Sequence, residues 1–509
     1  MQSVTNAFTA ESEANSRQIA HNLQMSWNKF SLLDNSLFTI GVSTIGGEDV
    51  IGINPGSIGI PGNYRYTDES DYTLDLSWER QLNIPVGGLT KAFADAELDN
   101  TSGRFLPSYM GGNSELFTSI LPKRPMIINA GFYLNGVPET VPKFAGLLDR
   151  QPHVNKRDRQ VSLQATDYLG YFESKYVDDT AMFTGVRTDE ILETLLLNSG
   201  MSTAQYELDT GLNDIPFTII ESGSKFSDVI NELVVAENGH FFQDEEGTFK
   251  FWNRQRFYSA PYTEVQKTIL TSQVLNAEAP NEDHIINVVE ISSDIWQKRA
   301  SQTIFTLSGT IEILAGQQTE VFANLEDPVL EVISQNIVAN SREDGTGSAI
   351  SVTIVSREVF SQAVKYVLSV PTSGYITTLT ITGRSAVIGE ELYLRTVDSS
   401  SVTAYEEKPL TVNNKYIQNR SLADSLSRVI LDRFGDAESL QKITIRALPE
   451  LQLGDLVSWQ GIDWRVYGAR SNLNPQSGFV QELLLVKARL ESYFTIGVSE
   501  IGGTDKIAA

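Results

Sequence analysis

Leu89-Thr90-Lys91-Ala92-Phe93-Ala94-Asp95-Ala96-Glu97-Leu98 alternates small or apolar side chains with polar ones through its second half and runs on into Asp99. A period of two puts Ala94, Ala96 and Leu98 on one face of a strand and Asp95, Glu97 and Asp99 on the other, the pattern of a half-buried antiparallel sheet. The same alternation, rich in Val, Ile, Thr, Tyr and Phe and broken by Gly, Asn, Asp and Pro, recurs over residues 19–27, 72–78, 126–134, 140–148 and 160–165. The chain therefore reads as mainly β, with small α+β parts.

Three helices stand out over 188–200, 224–239 and 421–435, each with a capping residue, an apolar stripe and a terminal glycine. Thr188, Ser224 and Ser421 are the expected caps. After the second helix comes His240-Phe241-Phe242-Gln243-Asp244-Glu245-Glu246-Gly247-Thr248-Phe249-Lys250-Phe251-Trp252, two aromatic strands around an acidic turn with a left-handed glycine. The turn reads as solvated and His240 as a packed ring. From 295 to 407 no helix is expected, and strands recur over 303–307, 319–323, 350–355, 364–369, 375–382 and 391–395, which reads as a β-sandwich. Short strands return over 440–447, 456–459, 464–469 and 480–490.

With 509 residues the chain has room for several cores, at roughly 100–200 residues per domain. It has no cysteine, so disulfides, zinc thiolates and thiol catalysis are excluded. Its four histidines are scattered without metal-ligand spacing, and no cofactor is expected. The 39 basic against 64 acidic residues, a net charge of −25, oppose gripping nucleic acid, since that affinity comes from neutralising phosphates. Such a balance suits a surface that DNA passes without sticking. Residues 1–16 are polar and lack the apolar core of a signal peptide, and no apolar run is long enough to span a membrane, so assembly in a cytoplasm is expected.

One repeat is internal. Phe38-Thr39-Ile40-Gly41-Val42-Ser43-Thr44-Ile45-Gly46-Gly47-Glu48-Asp49-Val50-Ile51 recurs as Phe494-Thr495-Ile496-Gly497-Val498-Ser499-Glu500-Ile501-Gly502-Gly503-Thr504-Asp505-Lys506-Ile507, with 11 of 14 positions identical. It reads either as a hairpin filling equivalent grooves or as an assembly latch, carried by Phe38, Ile40, Val42, Ile45, Phe494, Ile496, Val498 and Ile501, that adds a strand to a neighbouring subunit. No nucleophile elbow, phosphate loop or calcium loop is present, and no catalytic residue is assigned. Asp95, Glu97 and Asp99 remain as an acidic face, solvated or at an interface.

Trp78-Glu79-Arg80-Gln81-Leu82-Asn83-Ile84-Pro85-Val86-Gly87-Gly88, Ala94-Asp95-Ala96-Glu97-Leu98-Asp99-Asn100-Thr101-Ser102-Gly103-Arg104-Phe105-Leu106-Pro107, Phe144-Ala145-Gly146-Leu147-Leu148-Asp149-Arg150 and Ala165-Thr166-Asp167-Tyr168-Leu169 resemble minor tail proteins of long-tailed bacteriophages. Ile285-Ile286-Asn287-Val288-Val289-Glu290, Asn419-Arg420-Ser421-Leu422-Ala423 and Leu453-Gly454-Asp455-Leu456-Val457 continue the order of the tail-hub fold. The resemblance covers 70–294 and 411–490; the blocks 31–70 and 295–407 depart from it.

It implies a multidomain tail hub. An N-terminal strand and arm (1–70) would precede a first tube-forming β-barrel-like domain (71–172) and a small helix-plus-hairpin domain (173–261). A second tube-like domain (262–294 and 408–493, with helix 421–435) would carry the inserted β-sandwich (295–407) and a tail (494–509). The implied function is that of a structural virion protein and not an enzyme: a homotrimeric tail-tip hub around the DNA channel, with Asp95, Glu97 and Asp99 facing the lumen. The implied partners are the tail tube or distal-tail protein, the tape measure protein, and the central fibre or receptor-binding proteins that meet the host surface. The alternatives are a hexameric distal-tail ring, a glycan-binding adhesin using 295–407, and a wall-degrading hydrolase.

Overall fold

The computed structural model describes residues 1–14, 16–27, 66–112, 114–116, 119–178, 180–279, 283–476 and 478–488. Helix α1 (Asn6–Glu13) comes first, capped by Thr5, whose hydroxyl accepts the Phe8 N–H at 3.2 Å. A polar segment is helical here because one buried aromatic anchors it: Phe8 packs on Phe132, ring centres 5.1 Å apart. Strands β1 (Ile19–Met25), β2 (Thr67–Asp68), β3 (Thr73–Gln81), β4 (Gly88–Leu89), β5 (Phe93–Asp99), β6 (Pro125–Leu134), β7 (Val137–Leu148), β8 (His153–Asn155) and β9 (Gln160–Thr166) follow, then the short helix α2 (Leu169–Phe172). Along β5 and β9 buried positions alternate with more open ones residue by residue, as the period of two requires. Their inward side chains join Leu23, Trp78, Phe105, Ile128 and Phe144 in one core.

The next unit holds β10 (Phe183–Arg187), helix α3 (Thr188–Asn198), β11 (Tyr206–Leu208), β12 (Asp214–Thr218), helix α4 (Phe226–Glu237) and the hairpin of β13 (His240–Gln243) and β14 (Phe249–Trp252). The helix caps differ from the sequence reading. Arg187 is the extended residue before α3, and its N–H goes to the Glu190 carboxylate at 2.9 Å; Thr188 instead donates its hydroxyl to buried Glu237 at 3.0 Å. Lys225 precedes α4 without a side-chain cap, and Asn419, not Ser421, caps the third predicted helix. Gly247 has φ +101°, the left-handed turn residue the hairpin needs.

This hairpin is not isolated, because β4 pairs in parallel with β13 and so belongs to the sheet β11-β14-β13-β4. Asn238 and Asn231 accept the Gly87 and Leu89 N–H groups at 3.1 and 2.9 Å. A side chain at Gly87 would put its Cβ 1.6 Å from the Gly239 carbonyl oxygen.

After β15 (Lys267–Thr268) and β16 (Val274–Ala277), the chain runs through β17 (Val288–Lys298), β18 (Gln302–Thr306), β19 (Ile311–Ile313), β20 (Gln318–Asn324), β21 (Val329–Asn340), β22 (Ala349–Ile350), β23 (Thr353–Val359), β24 (Ala363–Ser369) and β25 (Gly374–Val397). Two sheets enclose one core of residues such as Val321, Tyr366, Leu368, Leu379 and Ile381, so the module is a sandwich. Four details were not legible. The predicted strands 375–382 and 391–395 are parts of the single 24-residue β25. The glycines between them mark close approaches and not turns: a Cβ on Gly383 would lie 2.4 Å from the Glu331 carbonyl, and one on Gly389 would meet Gln297. Strand β21 was missed, and so was helix α5 (Ser399–Tyr405), capped by Asp398, whose carboxylate accepts the Ser400 and Ser401 N–H groups.

Strand β26 (Pro409–Asn413) pairs with β17, and helix α6 (Arg420–Phe434) packs on β17 and β25. The core of α6 is shared with α3 and α4. Strands β27 (Leu440–Arg446), β28 (Leu456–Trp459), β29 (Ile462–Asn474) and β30 (Gly478–Lys487) are the last of the described residues' strands and form a core of their own with Ile445, Val457, Trp459, Trp464 and Leu485.

The two halves meet in one 14-stranded sheet whose main path runs β16-β27-β30-β29-β3-β5-β9-β7-β6-β1-β2. The junction is the antiparallel pairing of Gly468 to Leu473 with Gln81 to Leu76. Gly87→Ala is expected to lower stability by about 3 kcal/mol or more, because the clash is with backbone that cannot move aside. Ser162→Ala on the open face should stay within about 0.5 kcal/mol, both read by thermal unfolding.

Candidate functional site

The face of the 14-stranded sheet turned away from its cores carries mostly polar side chains on β3, β5 and β9, with Phe93 exposed among them, and includes Val480 beyond the junction. Asp95, Glu97 and Asp99 all project from it, since Ala94, Ala96 and Leu98 take the buried positions of β5. Register places Asp95 between Ser77 of β3 and Gln164 of β9, and Glu97 between Asp75 and Ser162. Glu79 lies opposite Phe93, on the side away from β9. Across the junction Arg470 and Asn472 continue the same face opposite Glu79 and Ser77.

The charge on this face is uneven. On β3, β5 and β9 its outward positions carry Asp75, Glu79, Asp95, Glu97 and Asp99 and no basic residue. Beyond the junction the carboxylates are matched: Lys442 pairs with Glu482 at 2.9 Å and Glu278 at 3.8 Å, and Arg470 reaches Glu79 at 3.9 Å. Asp75 accepts the Asn472 amide at 3.2 Å. Asp99 has a local task, since the Thr101 hydroxyl and N–H both donate to it and hold its carboxyl below the usual range. The latch positions Phe38, Ile40, Val42, Ile45, Phe494, Ile496, Val498 and Ile501 lie outside the described residues.

Behind this face a buried polar network ties three parts of the fold together. Arg80 of β3 pairs with Glu245 of the hairpin turn at 2.6 Å, and the Gln452 amide donates to the same carboxylate at 3.0 Å. The acidic turn is thus not solvated throughout, because Glu245 is only 8% exposed. Burial raises its carboxyl, yet Arg80 and Lys143 outweigh that and hold it below its ordinary value. Lys143, wholly enclosed, donates to the Pro449 carbonyl, and burial pushes its ammonium down to about 8. Arg80 had a signal in the sequence. It follows Leu76 and Trp78 at the same parity, which puts a charge on the core side of β3.

Two other buried groups complete the junction. Asp167 accepts the Ala92 and Leu169 N–H groups at 2.7 and 3.1 Å, and burial pushes it up to about 7. His240 is a packed ring, 6.0 Å from Phe257 and 5.8 Å from Tyr467, and burial pushes it down to about 3, so it is neutral. Among the described residues no three His, Asp or Glu side chains converge as a metal site, and no helix is long and apolar enough to cross a membrane.

Solved structures that match the chain include tail proteins. A 43 kDa tail protein from a Shewanella oneidensis prophage is 10% identical with a TM-score of 0.45, covering 83% of this chain and 96% of its own. A tail protein from Neisseria meningitidis is 12% identical with a TM-score of 0.45, covering 83% and 94%. A prophage tail protein from Listeria monocytogenes is 10% identical with a TM-score of 0.41, covering 84% and 92%. No protein-family model and no curated protein matches the chain.

Arg80→Met alone should cost about 3–5 kcal/mol, because it leaves Glu245 buried without its partner. Adding Glu245→Leu should return most of that loss. A double variant no more stable than Arg80→Met in denaturant unfolding would contradict the coupling.

Proposed function

We propose that this chain is a structural protein of a bacteriophage tail tip, three copies of which close around the channel that DNA passes through. The observation that carries this reading is the single sheet built from both ends of the chain. It has a polar face without a catalytic arrangement, and among the described residues its terminal strands β2 and β16 each pair on one side only. In this reading the sheet is one arc of a ring. Eleven strands at about 4.8 Å spacing span about 50 Å, so three arcs joined edge to edge give a bore of about 50 Å between backbones. Six arcs would double that width, which favours three copies over a six-membered ring.

The charge distribution supports the same reading. Asp75, Glu79, Asp95 and Glu97, turned toward the bore, repel the phosphate backbone and keep a passing genome from binding. Between them lie the amides and hydroxyls of Gln164, Ser162 and Ser77, with Phe93 as the one large aromatic exposed on β5. In this account the protein is not an enzyme. The tail tube or distal-tail protein, the tape measure protein and receptor-facing proteins are its neighbours, and host attachment is indirect.

The purified chain, or the assembled tail tip, should have the mass of three chains. Virions carrying Asp75→Asn, Glu79→Gln, Asp95→Asn and Glu97→Gln together should release DNA several-fold more slowly, while the chain's unfolding temperature is unchanged. A solitary or six-chain mass, or an unchanged ejection rate, contradicts the reading.

A further inference from the structure

The inserted sandwich contains a hollow that the tube wall does not use. Between Lys298, which pairs with Ala386, and Gln302, which pairs with Gly383, the chain crosses from one partner stretch of β25 to another. At this neck a pocket of about 410 Å³ opens between Arg299, β18, the turn at 324–327 and Ser385 of β25. Its size falls at the small end of ligand sites, which run from about 300 to 1,000 Å³.

The lining has a definite chemistry. Arg299 pairs with Asp327 at 2.7 Å, and both remain open to solvent, so each keeps donors or acceptors to offer. Gln302 and Asn324 add amides, which donate and accept on one side chain. Phe305 supplies an apolar wall. Ser385 at the back of the hollow is 1% exposed, and its hydroxyl has no hydrogen-bond partner.

We propose that this pocket binds a neutral saccharide unit. Two carboxylates, Glu326 and Asp327, against one guanidinium disfavour phosphate. The guanidinium already lying on Asp327 disfavours a metal cation. A hexose matches what remains: hydroxyls that donate and accept at once meet the amides and the Arg299–Asp327 pair, and its C–H face meets Phe305. The inference does not depend on the tail-tip reading, since it uses only the inserted module.

The test is saturation-transfer NMR on the full chain with D-glucose, D-galactose, N-acetyl-D-glucosamine and L-rhamnose. At least one should bind with a Kd on the order of 1 mM, weakened about tenfold or more by Asn324→Ala and by Asp327→Ala. Tyr109→Ala, an exposed aromatic in another part of the fold, should leave binding unchanged. No binding by any of the four sugars overturns the proposal. So does binding that survives both pocket substitutions, or sugar displaced by inorganic phosphate.

Discussion

Six backbone pairings between β3 and β29 decide what kind of object this chain is. They join residues such as Ser77 and Asn472, far apart in sequence, and continue the sheet over one core into the sheet over another. Through them the outward face runs on from β3 into β29, and Trp78 on Phe479 and Lys143 on the Pro449 carbonyl hold the same two halves together. The Arg80–Glu245 pair sits directly behind this seam and binds the helix-and-hairpin unit to it. A buried pair of this kind adds little net stability, but it specifies one arrangement, because any other leaves a charge without its partner.

The period-two pattern made most strands of the first half legible to within about three residues, because each has one buried and one open face, but the strand read over 89–98 is two, β4 in the hairpin sheet and β5 in the large one, and β2 and β8 were missed. The three long helices were legible from their stripes, and the aromatic hairpin from its acidic turn and Gly247. Helix caps were less so. Thr188 and Ser421 have capping chemistry, but tertiary partners and backbone geometry gave the role to Arg187 and Asn419. Glycine misled in β25, where Gly383 and Gly389 mark close contact with the neighbouring strands β21 and β17.

The candidate site was half legible. That Asp95, Glu97 and Asp99 share a face follows from spacing alone. That Asp75 and Glu79 join them, and that basic residues neutralise the face only beyond the seam, depends on strand order, which no local pattern encodes. Glu245 shows the same limit: an acidic residue in a turn looks solvated until the fold brings Arg80 to it.

The 24-residue β25 carries the other consequence of the architecture. One strand serves both the sandwich and the ribbon with β17, so the insert is held to the body by a continuous ladder and not by a loop.

The most direct measurement is a cryo-electron microscopy reconstruction of the assembled protein. The account predicts three-fold particles with an open axial hole, lined by β3, β5 and β29 and closed where β16 of one copy meets the β2 edge of the next. Solitary molecules, or an assembly in which the polar face of the sheet is packed against other protein and surrounds no axis, would contradict it.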